Sequence, residues 1–108
     1  MAKTTIATGE DVATLINVFI VTRETQQQLL DLLVEATEQV MRHRPGFVSA
    51  NIHASTDGTR VVNYAQWRSR EDFQAMLDDP NAQEHMGAAG ALAAAEPHLY
   101  QVVSVHHV

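Results

Sequence analysis

Phe47-Val-Ser-Ala-Asn-Ile-His-Ala-Ser-Thr-Asp-Gly-Thr-Arg-Val-Val-Asn-Tyr-Ala-Gln-Trp67 holds two β-rich runs, Phe47 to Ala54 and Arg60 to Trp67. Between them Ser55-Thr-Asp-Gly-Thr59 is a hairpin signal, because Asp-Gly tolerates the positive φ angles of a tight turn. Upstream, Thr22 to Arg44 changes period. Leu29, Leu33, Ala36 and Val40 recur at three- and four-residue spacing, with Gln and Glu on the other side. That pattern predicts an amphipathic helix of about five turns, stopped by Pro45-Gly46. Before it, Thr14-Leu-Ile-Asn-Val-Phe-Ile-Val21 reads as a buried strand. Downstream, Ser69-Arg-Glu-Asp72 resembles a capping box, with Asp in place of Glu, and opens a helix through Phe73, Met76 and Leu77. Asp79-Pro80 breaks it. A further helical stretch runs past His85 and Met86 into alanine-rich sequence, with Pro97 as its expected end and His98 to Val108 as the last strand. Strand, helix, strand, strand, helix, strand is the order of an α+β, ferredoxin-like split βαβ fold with an antiparallel sheet. Helices cover one face. On one reading of the register, Val48, Ala50, Ile52, Val62 and Tyr64 leave the other face apolar, which predicts a homodimer joined sheet to sheet.

The whole sequence has 108 residues, enough for one domain with its own core. Residues 1–11 read as a flexible leader and 12–108 as the single domain. There is no cysteine, so disulfides, thiolate metal sites and cysteine nucleophiles are excluded. The net charge is −6, with 7 Lys+Arg against 13 Asp+Glu. That balance argues against nucleic acid or an anionic membrane as the main partner. No stretch has the length and apolarity of a signal peptide or membrane span, so the expectation is a soluble, cytoplasmic protein. No Gly-rich phosphate loop, GxSxG or HExxH occurs, and no histidine–carboxylate grouping has metal-ligand spacing.

Three residues sit oddly in runs that ought to be apolar: Asn17, Asn63 and Trp67. Asn63 and Trp67 are four apart on one strand and share a face, with small Ala65 between them. An indole N–H and an amide beside open space suit a flat, oxygen-bearing ligand; the plainer alternative is a core Trp and a backbone-bonded Asn. His53 depends on the turn. A two-residue Asp57-Gly58 turn puts it on the face opposite Asn63. A three-residue loop with left-handed Gly58 puts it beside Asn63, and Ser-Thr-Asp-Gly favours that form. Phe47, Tyr64, Phe73, Met76, His85, Met86 and Tyr100 are candidate walls of a binding pocket.

The stretch from His53 to Trp67, with Pro45-Gly46-Phe47 before it and Ser69-Arg-Glu-Asp-Phe73 after it, resembles the antibiotic biosynthesis monooxygenase family. It looks closest to the small quinone-forming monooxygenases of aromatic polyketide pathways, through Asn63-Tyr-Ala-Gln-Trp67. The resemblance implies a dimeric α+β barrel and a pocket in each subunit between sheet and helices. It implies a cofactor-independent enzyme, with no flavin, haem or metal and with O2 as co-substrate. Such an enzyme oxidises an anthrone or polycyclic phenol to a quinone through a substrate anion. The pocket asparagine and tryptophan fall on Asn63 and Trp67, the first-strand asparagine on Asn17 and the second-strand histidine, a candidate base, on His53. Two alternatives are a haem-binding or haem-degrading relative, with His85 as axial ligand, and a non-catalytic polyketide-binding dimer.

Overall fold

A computed structural model describes residues 2–108. Its elements run β1 (Ala13–Ile20), α1 (Gln26–Gln39), a 3-10 turn (Met41–His43), β2 (Phe47–Ala54), β3 (Arg60–Trp67), α2 (Arg70–Leu77), α3 (Pro80–Leu92) and β4 (Ala94–Tyr100). The sheet order is β2-β3-β1-β4 and each neighbouring pair is antiparallel. This is the expected ferredoxin-like α+β arrangement, with the second helical segment split in two.

Local chemistry explains each boundary. α1 is shorter than its apolar period suggests because Thr22 and Thr25 turn the chain first. Each backbone N–H bonds the other's hydroxyl, at 3.0 and 3.2 Å. Ser69 caps α2 by accepting from Asp72 N–H at 3.0 Å, and Asp79 caps α3 by accepting from Asn81 N–H at 2.9 Å. Pro80 occupies the first turn of α3, where its missing N–H costs nothing. Gly46 has φ +83°, and a Cβ there would collide with the Asp72 side chain. Any other residue at 46 would therefore be strained by its positive φ and would make the Asp72 side chain at the start of α2 shift.

The last strand differs from expectation. α3 ends at Leu92, five residues before Pro97, and β4 starts at Ala94. The free edge of β1 decides this. Its backbone groups need partners along their length, and Ala94 to Tyr100 pair with Ile20 to Thr14 in unbroken register. Pro97 is tolerated because β4 is an edge strand and can leave one side unbonded. Residues 101–108, expected to finish the strand, form no regular element.

The hairpin also departs from the favoured form. Ser55 N–H bonds Arg60 O, Gly58 N–H bonds Ser55 O, and Gly58 takes φ +80°. The turn is type I followed by a left-handed glycine, as expected, but Thr59 is also in the loop. The loop therefore has even length, and His53 pairs with Val62 rather than Val61. One residue of parity flips the face of every side chain before it. Ala50 and Ile52 consequently point toward the helices with Asn63 and Ala65, while Val62 and Tyr64 point away, so the apolar face expected from all five residues is divided between the two sides.

Helices cover one face only. Beneath them lie two separate apolar clusters. One contains Phe19, Leu29, Val61 and Ala89; the other centres on Trp67, Met76 and Ala82. On the open face, Thr4 donates to Asn51 Oδ1 (2.6 Å) and Gln66 Nε2 donates to Thr5 O (2.8 Å), so the amino-terminal segment touches the sheet there.

Candidate active site

The two apolar clusters do not merge because a cavity of about 380 Å³ lies between helices and sheet, lined by members of both. Its floor is built from rows of the sheet. Asn17 on β1 lies directly opposite Asn63 on β3. The next inward-facing row holds Leu15, Ala65 and Ala50, and the row after that holds Trp67 and Phe47. Alanines at 65 and 50 make the middle row low. A trench therefore runs from the paired amides to the indole, about 13 Å at 3.3 Å per residue along β3.

Trp67 is 2% exposed, and its ring is held edge-on by Phe47 (centroids 5.5 Å apart, 87°) and Phe73 (6.3 Å, 61°). Such contacts contribute about 0.5–1.5 kcal/mol each beyond area burial, so the indole is locked and its N–H aim is fixed. Yet Trp67 Nε1, Asn63 Oδ1 and Asn17 Oδ1 are all buried with no hydrogen-bond partner among the described residues. Leaving a buried polar group unmade costs about 1–3 kcal/mol. Three such groups in one cavity leave polar atoms free to bond a molecule placed between them. An amide turned through 180° exchanges C=O for NH2 at the same place. Each asparagine can thus accept from a neutral O–H or donate to its anion.

The walls are apolar. Phe47, Phe73, Met76 and Met86 line the cavity as the sequence suggests, and so does His85 on α3. α1 adds Leu33 and Thr37, the 3-10 turn adds Met41, and β4 adds Ala95, Pro97 and Leu99. Sequence reasoning missed Ala95 and Pro97 because it put Pro97 at the end of a helix. It missed Thr37 because that hydroxyl is satisfied within α1, bonding Leu33 O at 2.8 Å.

Three expected site residues lie elsewhere. His53 is exposed on the open face, with Nδ1 3.1 Å from Asn51 O, because of the even hairpin loop. It cannot serve the cavity as a base. Tyr64 follows Asn63 and so faces the other side, where its hydroxyl accepts from Gln66 Nε2 at 3.2 Å. Tyr100 is 48% exposed on β4 beside His98 (rings 6.2 Å apart) and does not line the cavity.

Among the described residues, no group of three or more His, Asp or Glu is placed to hold a metal ion, and no helix is long and apolar enough to cross a membrane.

Comparison with known proteins gives a consistent result. The sequence profile described as antibiotic biosynthesis monooxygenase matches residues 13–88. The tetracenomycin-F1 monooxygenase of Streptomyces glaucescens is 49% identical over 98 residues, covering 91% of this chain and 88% of that protein. The crystal structure of a monooxygenase from the gene ActVA-Orf6 of Streptomyces coelicolor, in complex with nanaomycin D, superposes with TM-score 0.78 at 29% identity, covering 92% of this chain and 93% of that one. SnoaB, a cofactor-independent oxygenase from Streptomyces nogalater, has TM-score 0.76 at 23% identity over 88% of this chain and 96% of its own, a likeness of fold.

Proposed function

This chain belongs to the antibiotic biosynthesis monooxygenase family and is an oxidoreductase, and from that premise we propose that it oxidises a polycyclic phenol or anthrone to a quinone with O2 and without a cofactor. The observation that carries the reading is the trio of unpartnered polar atoms, on Asn17, Asn63 and Trp67, in an otherwise apolar trench. A flat aromatic ring fits such walls, and its oxygen substituents fit those atoms. The half-identical relative, named for an oxidation of tetracenomycin F1, and the neighbour crystallised with nanaomycin D support a polyketide ring as substrate.

The chemistry follows from the ring. Ground-state O2 is a triplet and reacts poorly with closed-shell molecules, but an electron-rich anion can give it one electron. The resulting radical pair joins as a peroxide, and loss of water leaves the carbonyl. The protein's task is to favour the anion. The Trp67 N–H, and the Asn63 amide turned to donate, stabilise negative charge on the ring oxygen. In a dry pocket one such donor is worth about 2.7–4 kcal/mol. Asn17 holds a second oxygen function opposite Asn63.

On the open face, Ile20 and the β4 residues Ala94, Glu96, His98 and Tyr100 are exposed. A sheet with one uncovered face of this kind supports a homodimer in which a second copy covers it. Sedimentation at micromolar concentration, where a monomer is the contrary result, tests that part.

The main test is O2 uptake with an anthrone, with chelator present and no flavin added. Uptake matched by quinone and lost in Trp67→Phe and Asn63→Ala is the expected result. A requirement for added flavin or metal overturns the reading.

A further inference from the structure

With His53 on the open face, any proton chemistry in the cavity belongs to another group. Ala82, His85, Met86 and Ala89 fall on one face of α3, at offsets of three, four and seven residues. Ala82 and Ala89 are 0% and 4% exposed, so this is the inward face, and His85 lines the cavity from it. No Asp, Glu, Lys or Arg reaches the lining; its titratable residues are His85 and His98. His98 pairs with Ile16 on the rows that face away from the trench, with Nε2 3.6 Å from Glu96 Oε1. The histidine side chains that hydrogen-bond within the chain are those of His53 and His107, not His85. Charged groups on the elements around α3 are engaged or solvated. Asp79 caps the helix and pairs with Arg44 at 3.3 Å, Asp72 bonds Ser69, Asp78 bonds Gln74 and Glu38 pairs with Arg42. Glu35 and Glu84 are exposed.

The geometry points to His85 as a catalytic residue that carries the proton for this cavity, taking it from the ring and returning it to oxygen. Imidazole alone among side chains does both in the neutral range. The inference rests on the reaction proposed above. For a ring methylene, neutral His85 removes one C–H proton and leaves a carbanion. The carbanion gives an electron to O2, and the superoxide and carbon radical join as a C–O–O⁻ anion. Charged His85 protonates its distal oxygen. His85 then takes the second C–H proton as the O–O bond breaks. The electron pair of that C–H bond forms C=O, and the hydroxide that departs receives the proton as water. The sum is R2CH2 + O2 → R2CO + H2O.

The test uses 1,8-dihydroxyanthrone, first without oxygen. In wild-type protein the bound ring ionises at pH 7, seen by absorbance. His85→Gln binds the ring but leaves it neutral at that pH. With air admitted, kcat in His85→Gln falls about 100-fold with KM changed less than about threefold, and in His85→Ala added imidazole restores turnover. Equal ionisation and equal turnover in wild type and His85→Gln overturn the role of His85. Ionisation in the wild type without any O2 uptake overturns the oxygenase reading instead and leaves the proton transfer standing.

Discussion

The two faces of the sheet use the same side-chain chemistry to opposite ends. On the open face, Asn51 donates to Tyr64 O (3.0 Å) and accepts from Thr4 (2.6 Å). Gln66, 4% exposed, accepts from Ser49 (2.8 Å) and donates to Thr5 O (2.8 Å) and Tyr64 Oη (3.2 Å). On the helix face, the Asn17 and Asn63 carbonyl oxygens and the Trp67 N–H have no partner among the described residues. Satisfied amides join parts of a fold; unsatisfied ones in an apolar cavity wait for something else. Residue type does not distinguish the two roles, whereas the state of the hydrogen bonds does.

The largest effect expected from this contrast is on the helix face. Trp67→Phe keeps the ring packing and removes the N–H, so kcat drops about 10²–10³-fold, while the thermal midpoint holds. A fall in both together would place Trp67 with the structural amides. Gln66→Leu is the mirror experiment. It removes the bonds to the Thr5 carbonyl and the Ser49 hydroxyl, and urea unfolding registers a loss of about 1 kcal/mol, with turnover per folded molecule retained. Asn17→Leu removes a buried group that no described residue satisfies. Stability in urea rises by up to about 1 kcal/mol while activity falls, the trade expected of a binding group. Thr14 is an exception on the open face, because its hydroxyl is buried and unpartnered although it lies outside the cavity. Thr14→Val is therefore neutral or slightly stabilising in the same assay, with unchanged kcat.

A further small effect concerns the loop that decides which face is which. Asp57 accepts from the Thr59 hydroxyl, the Thr59 N–H and the Ser55 hydroxyl, and these bonds, in that order, lower its pKa from 3.8 to about 2. A carboxylate with a depressed folded pKa stabilises the fold above its unfolded pKa and loses that contribution as pH falls through the folded value. Asp57→Asn is thus less stable than wild type at neutral pH, and the gap in thermal midpoint closes between about pH 4 and 2. The gap is small, because Asp57 is fully exposed. A gap that persists below pH 2 would mean that the amide fails by shape rather than charge.

Much of this contrast was legible in the sequence. β2 and β3 carry strong alternation and a turn signal, and their boundaries fall at Phe47, Ala54, Arg60 and Trp67 as read. Asn17, Asn63 and Trp67 stood out because polar groups interrupted apolar runs. Parity was harder. The sequence offered a two-residue Asp57-Gly58 turn or a three-residue Thr56-Asp57-Gly58 loop, and the loop that forms takes in Thr59 as well. That depends on Thr59 and Arg60 N–H both bonding Ser55 Oγ, at 3.1 and 2.8 Å, a geometry that composition does not reveal. His53 was misplaced for that reason alone. β4 was misread because Ala94 and Ala95 have weak strand propensity, and only the unpaired edge of β1 makes them a strand. Its contribution to the cavity, through Ala95 and Pro97, was hidden with it.

The chain's single tryptophan is Trp67, so the protein carries a built-in optical gauge of its own cavity. An indole shut away from water, with no acceptor for its N–H, emits toward the blue. Seating a phenolate on that N–H moves the band red, and replacing the phenolate with a quinone, a strong electron acceptor, darkens it. One unlabelled sample would therefore report empty, loaded and spent states in sequence from the strand's own indole, read beside the absorbance of the ring it holds.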